Sequence, residues 1–151
     1  MSALKKAVVK KIISLLLFLG FFACGRYRSS IPDSPVFMRR NLNTIKCLFP
    51  GDFYYITEPE TVTDRLGYGG LVLLKGFDDR YYAYDLACPV ECRPDVKVGQ
   101  PNEVLEVVCP QCGETYQLGF GLGTPSTGVS KEGLKRYAVV VDVNSEVLVQ
   151  H

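Results

Sequence analysis

The chain has 151 residues, 47% apolar and 22% charged, with 17 Lys and Arg against 16 Asp and Glu. That is an ordinary single-domain mixture, which excludes global disorder and offers no basic surplus for nucleic acid. The sole His is the terminal His151, and Trp is absent. Ser-His-Asp hydrolysis, Cys-His proteolysis and multi-His metal centres are thereby excluded, and six Cys remain as the residues through which chemistry would run.

The chain starts basic, with Lys5, Lys6, Lys10 and Lys11, and continues as an apolar run from Ile12 to Ala23. A spanning helix needs roughly 20 apolar residues. The run is shorter and fits the apolar core of a secretory signal over residues 1–23. Phe21-Phe22-Ala23-Cys24 resembles the lipobox of bacterial lipoproteins. That resemblance implies cleavage before Cys24 and a diacylglycerol on its sulfur, and two or more acyl chains hold a protein firmly on a membrane. It places the protein in the bacterial cell envelope, facing the periplasm or the exterior. Losing residues 1–23 removes four Lys and no acids, which leaves 13 basic and 16 acidic residues. A mildly acidic body is not drawn to anionic lipid by charge, so the anchor would be the lipid itself. Residues 24–35, rich in Ser, Pro and Arg, are expected to form a tether.

From Val36 to His151 no segment carries a helical period, and the body reads as all-β. Strands are expected at Phe53–Ile56, Leu71–Leu74, Arg80–Tyr84, Val104–Val108, Tyr116–Leu118, Tyr137–Val143 and Glu146–Val149. Asp78-Asp79 and Asn144-Ser145 supply hairpin turns. Glu60–Leu66 is the one weak helical candidate. Short strands at this spacing predict a small antiparallel barrel or sandwich. The Tyr and Phe residues on them read as core and cross-strand packing. Asp78, Asp79, Asp85, Glu91 and Asp95 read as turn and solvent charges.

Four Cys form two clusters, Cys88-Pro89-Val90-Glu91-Cys92 and Cys109-Pro110-Gln111-Cys112, each following an expected strand. Two strand-end loops can then face each other and present four sulfurs. A tetrahedral thiophilic metal needs soft ligands about 2.3 Å away, and two Cys on one tight turn supply half of that shell. The same four residues also suit two disulfides, Cys88 with Cys109 and Cys92 with Cys112, in an oxidising compartment. The first would close a loop worth roughly 3 kcal/mol. Spacing alone does not separate the two readings. Cys47 stands apart and reads as a small buried apolar residue.

From about residue 67 to residue 150 the chain resembles a Rieske-type iron–sulfur domain. The matching text is Tyr84-Asp85-Leu86-Ala87-Cys88-Pro89, then Val108-Cys109-Pro110-Gln111-Cys112-Gly113, then Tyr116-Gln117-Leu118 and the stretch from Gly121 to Gly128. The resemblance implies a small antiparallel β fold with two Cys-bearing loops on a [2Fe–2S] cluster. It also implies a Pro-containing shielding loop at Gly123–Gly128. Val90 occupies the first family His position and cannot ligate; Cys112 occupies the second. A cluster here would be held by cysteine alone, with Cys92 standing in for the missing His. Two thiolates in place of neutral imidazoles would lower its potential.

Three functions follow as expectations. The first is a membrane-anchored module that binds an iron–sulfur cluster or zinc through Cys88, Cys92, Cys109 and Cys112 and passes electrons to a protein partner. The second is a non-redox structural or binding lipoprotein, metal-free, with two disulfides. The third is a thiol oxidoreductase at Cys109-Pro110-Gln111-Cys112, which would need a helix after Cys112 to lower the thiol pKa. The text after Cys112 reads as strand. No enzyme active site is legible.

Overall fold

The computed structural model describes residues 29–151. The expected signal segment 1–23 and Cys24 lie outside the described residues.

The strands in chain order are β1 (Val36–Asn41), β2 (Phe53–Ile56), β3 (Arg65–Leu66), β4 (Leu71–Lys75) and β5 (Tyr81–Asp85), then β6 (Glu106–Val108), β7 (Thr115–Gln117), β8 (Thr124–Pro125), β9 (Arg136–Val141) and β10 (Glu146–Gln150). All pair antiparallel. Seven of them, in the order β2-β4-β5-β9-β10-β1-β3, form a nearly closed barrel. Strand β9 turns the corner. Its first residues pair with β5 and its later ones with β10. The other three make a small sheet, β6-β7-β8.

Strand β4 shows how the sequence builds two cores. Side chains alternate between faces along a strand, and Leu71, Val72, Leu73 and Leu74 are all fully buried. Leu71 and Leu73 point into the barrel, among Met38, Leu42, Cys47, Ile56, Val147 and Val149. Val72 and Leu74 point the other way, into a second core with Tyr82, Tyr84, Leu86, Leu105, Val107, Tyr116 and Leu118. An uninterrupted apolar run is therefore what a strand between two layers requires. The small sheet is bolted to the barrel through this second core, which also contains Cys88 and Cys109.

Most expected strands are present, with shifted ends. Val104–Val108 shrinks to β6 because Leu105 takes a left-handed φ of 56° in a turn closed by its amide on Asn102 O. Glu60–Leu66 is not helical. Buried Asp64 accepts the amides of Glu60 and Thr61 and two bonds from the Arg40 guanidinium. That locks a turn, and β3 follows it. A four-residue helix α1 (Leu42–Ile45), capped by the Asn41 side chain on the Asn43 amide, ends β1.

The described part of the expected tether, residues 29–35, is laid against the domain. Ile31 is buried, the Lys135 ammonium donates to Ile31 O, Pro32 O and Asp33 Oδ1, and the Gly67 amide donates to Pro35 O. A Ser- and Pro-rich composition signals a spacer only while nothing on the domain binds it. Here a buried lysine collects its carbonyls.

Candidate metal site

The first Cys loop leaves β5 at Asp85. This residue reads from sequence as a solvent charge, but it is fully buried. Its carboxylate accepts the amides of Tyr68 (2.7 Å), Gly69 (2.9 Å) and Ala87 (2.8 Å) and the Tyr137 hydroxyl (2.5 Å). A carboxylate with four donors can stay buried, and it fixes where the chain turns towards Cys88. The loop is then held by Cys88 N on Val96 O and closed by Cys92 N on Cys88 O.

The second loop leaves β6 and returns as β7. Cys109 N donates to Glu114 O at 2.8 Å, and Gly113 N to Cys109 O at 3.0 Å. Gly113 has φ of +73°, the left-handed conformation in which a residue with a Cβ is strained. Glu114 is the hub behind this loop. Its fully buried carboxylate accepts the amides of Thr115, Ser126, Thr127 and Ser130 and the Thr127 hydroxyl. The loop expected to shield the site is thereby tied to the residue two places after Cys112.

The two loops bring Cys88, Cys109 and Cys112 together. Their three sulfurs lie within 4.8 Å of one another, and Cys88 Sγ is 3.6 Å from Cys112 Sγ. Cys88 and Cys109 are buried and Cys112 is half-buried. Cys92 is not part of this group. It takes φ of 50°, and its thiol turns back to donate to Pro89 O at 3.0 Å. Among the described cysteines all are free thiols. The sulfur nearest Cys112 across the loops belongs to Cys88, whereas the sequence offered Cys92 as its partner.

Burial pushes the Cys88 thiol up in pKa. The amide of Glu91, the Tyr116 hydroxyl (3.6 Å away), Cys109 and the amide of Val90 outweigh it, so Cys88 lies below the ordinary thiol value. Burial and the neighbouring Cys109 and Cys88 sulfurs push Cys112 up to about 12. Three converging sulfurs, one of them with its pKa lowered by its neighbours, are a soft donor set suited to a thiophilic cation. Cys47 is far from this chemistry in the plan of the fold. It sits in the barrel core, its pKa pushed up to about 12 by burial and then by Asp52.

Sequence reasoning missed Tyr116 and Glu114 as parts of the site. Tyr116 reads simply as a strand aromatic. Glu114 carries no signal beyond standing two residues after a Cys.

No protein-family model matches the chain, and no curated protein matches it. Solved structures do. The ferredoxin of carbazole 1,9a-dioxygenase from Nocardioides aromaticivorans IC177 superposes with a TM-score of 0.46 at 22% identity, over 77% of this chain and 96% of that one. A structure named as an NADH-dependent nitrite reductase small subunit from Mycobacterium tuberculosis superposes with a TM-score of 0.45 at 14% identity, over 78% of this chain and 96% of that one.

Proposed function

We propose that the chain is a thiolate metal-binding protein of Rieske-like build, held on a membrane of the bacterial envelope by lipid on Cys24. The observation that carries the metal reading is the convergence of Cys88, Cys109 and Cys112 within 4.8 Å. A tetrahedral ion with sulfur ligands at 2.3 Å has sulfurs about 3.8 Å apart. The 3.6 Å between Cys88 and Cys112 fits one such ion, with the fourth position filled from outside the triad. The soft donor set favours zinc or another thiophilic metal over a hard cation.

A [2Fe–2S] cluster takes four protein ligands. The three converging thiols do not complete that set while Cys92 faces Pro89 O. One observation keeps electron transfer as a second reading. Cys92 lies on the same turn as Cys88, its amide on Cys88 O at 2.9 Å, and is part-exposed. Turning its side chain inward would supply a fourth thiolate.

Metal content of the anaerobically purified chain, with single Cys→Ser variants, tests both readings. One ion per chain, lost in Cys109→Ser and Cys112→Ser but retained in Cys92→Ser, is the expected result. Two irons per chain with sulfur-to-iron charge-transfer bands, lost also in Cys92→Ser, would establish the electron-transfer reading instead. A metal-free protein with cysteines paired in disulfides would sink both.

A further inference from the structure

The segment that leads into β1 determines which side of the domain can face a membrane. Ser30 is bonded at both ends of its reach. Its hydroxyl donates to Pro89 O at 3.1 Å, next to Cys88, and its amide donates to Glu132 Oε2 at 2.8 Å. Lys135 clamps the next three residues, and residues 29–33 line a cleft of about 1120 Å³ together with Leu122, Thr124, Pro125 and Lys131. The chain therefore enters the domain at its thiol end.

Exposed apolar side chains gather on the segments around this point. Val90 is 40% exposed beside Pro89, Leu122 is 70% exposed on the cleft rim, and Val129 is 53% exposed one residue before Ser130. Exposed Lys131 lies on the same rim, and the four-residue connector between Cys24 and Ser29 includes Arg26 and Arg28. The five steps from Cys24 to Ser29 span at most about 18 Å. Cationic residues within that distance of a bilayer are attracted to anionic headgroups, and isolated apolar side chains among them settle into the interface.

We infer that the domain rests on the lipid bilayer with its thiol end down, with Leu122, Val129 and Val90 in the headgroup region. This rests on the lipid-anchor reading of Cys24. The occupant follows from the connector. It is too short to let a domain of this size turn its opposite end, the β9–β10 hairpin, to the membrane. Val143, in the turn that closes that hairpin and 99% exposed, is eight residues from Lys135, about 26 Å of extended strand.

The absence of Trp makes the test direct. Single variants Leu122→Trp, Val129→Trp and Val143→Trp of the full chain, matured in a bacterial host, are reconstituted into vesicles of phosphatidylcholine and phosphatidylglycerol. Brominated lipid then reports depth by quenching. Flotation with the vesicles, with Leu122→Trp and Val129→Trp quenched several-fold more than Val143→Trp, is the expected result. Flotation with all three equally unquenched, or with Val143→Trp quenched most, overturns the orientation and leaves the anchor standing. A chain that does not float overturns the anchor and the orientation together. All three positions are exposed, so native circular dichroism is expected throughout.

Discussion

Glu114 shows how much of a site can depend on one carboxylate that ligates nothing. Burial penalises its charge, but the Ser130 and Thr127 donors outweigh that and hold it at about 2. Replacing it with Ala removes the acceptor of the Ser130 and Thr127 amides and the Thr127 hydroxyl, while the Ser126 amide keeps Thr115 O, a loss of about 3 kcal/mol. A urea midpoint measured on Glu114→Ala checks this. The sign of the pH effect follows from the depressed value. The unfolded carboxyl takes its proton first as the medium acidifies, so the stability Glu114 contributes is complete above about pH 4.5 and drains away towards pH 2. Asp64, which its bond from Arg40 holds well below the usual carboxylate range, acts in the same direction. Midpoints at pH 5, 4 and 3 are expected to fall steadily, with a shallower fall in Glu114→Gln. Neither role is legible in sequence, because a lone acid near a turn looks the same whether it is solvated or sealed. The cysteines were legible, since few residue types can cluster at such spacing without a shared purpose. Their geometry was not. Spacing treats Cys92 as equivalent to Cys88, and only the folded loop shows its thiol turned away, on Pro89 O.

At the scale of elements, strands with clear edges were readable and short ones were not. Leu71–Lys75 and Tyr81–Asp85 announce themselves through apolar runs and the Asp78-Asp79 turn, where Asp79 takes φ of 66°. Thr124–Pro125 and Arg65–Leu66 are two residues each, too short for any period. Within the glycine stretch from Gly119 to Gly128, Gly121 and Gly123 lie directly on Tyr82 and Tyr84. A Cβ on Gly123 would stand 2.7 Å from Tyr84 Cε1, and its φ of +63° is the left-handed region. Gly123→Ala must therefore lift this stretch off β5 or strain it, at a cost of about 2 kcal/mol. A drop in melting temperature of several degrees is expected. Metal retention should fall with it, because the same stretch continues into the residues that Glu114 holds.

For the whole molecule, the lead-in segment behaves as part of the domain. Lys135 is 7% exposed and spends its donors on Ile31, Pro32 and Asp33. Lys135→Met keeps the apolar stem and removes those bonds, so residues 29–35 are expected to become several-fold more susceptible to limited proteolysis while the barrel stays intact. A cut pattern identical to that of the unmodified chain would mean that buried Ile31 and the bonds of Ser30 and Pro35 hold the segment without Lys135.

The order of strands sets a schedule as well as a shape. Strand β10, formed by Glu146–Gln150, lies between β1 and β9 and pairs with both. A chain delivered N-terminus first can assemble the β4–β5 hairpin early, but the sheet keeps a missing plank until Gln150 arrives. Long-range pairing of this kind is slow and waits on the last residues. The sheet therefore stays open until Glu146–Gln150 has been made, and closure falls late in the chain's delivery. The loops that carry Cys88, Cys109 and Cys112 precede β10 in the chain, so their thiols exist before the barrel around them can close.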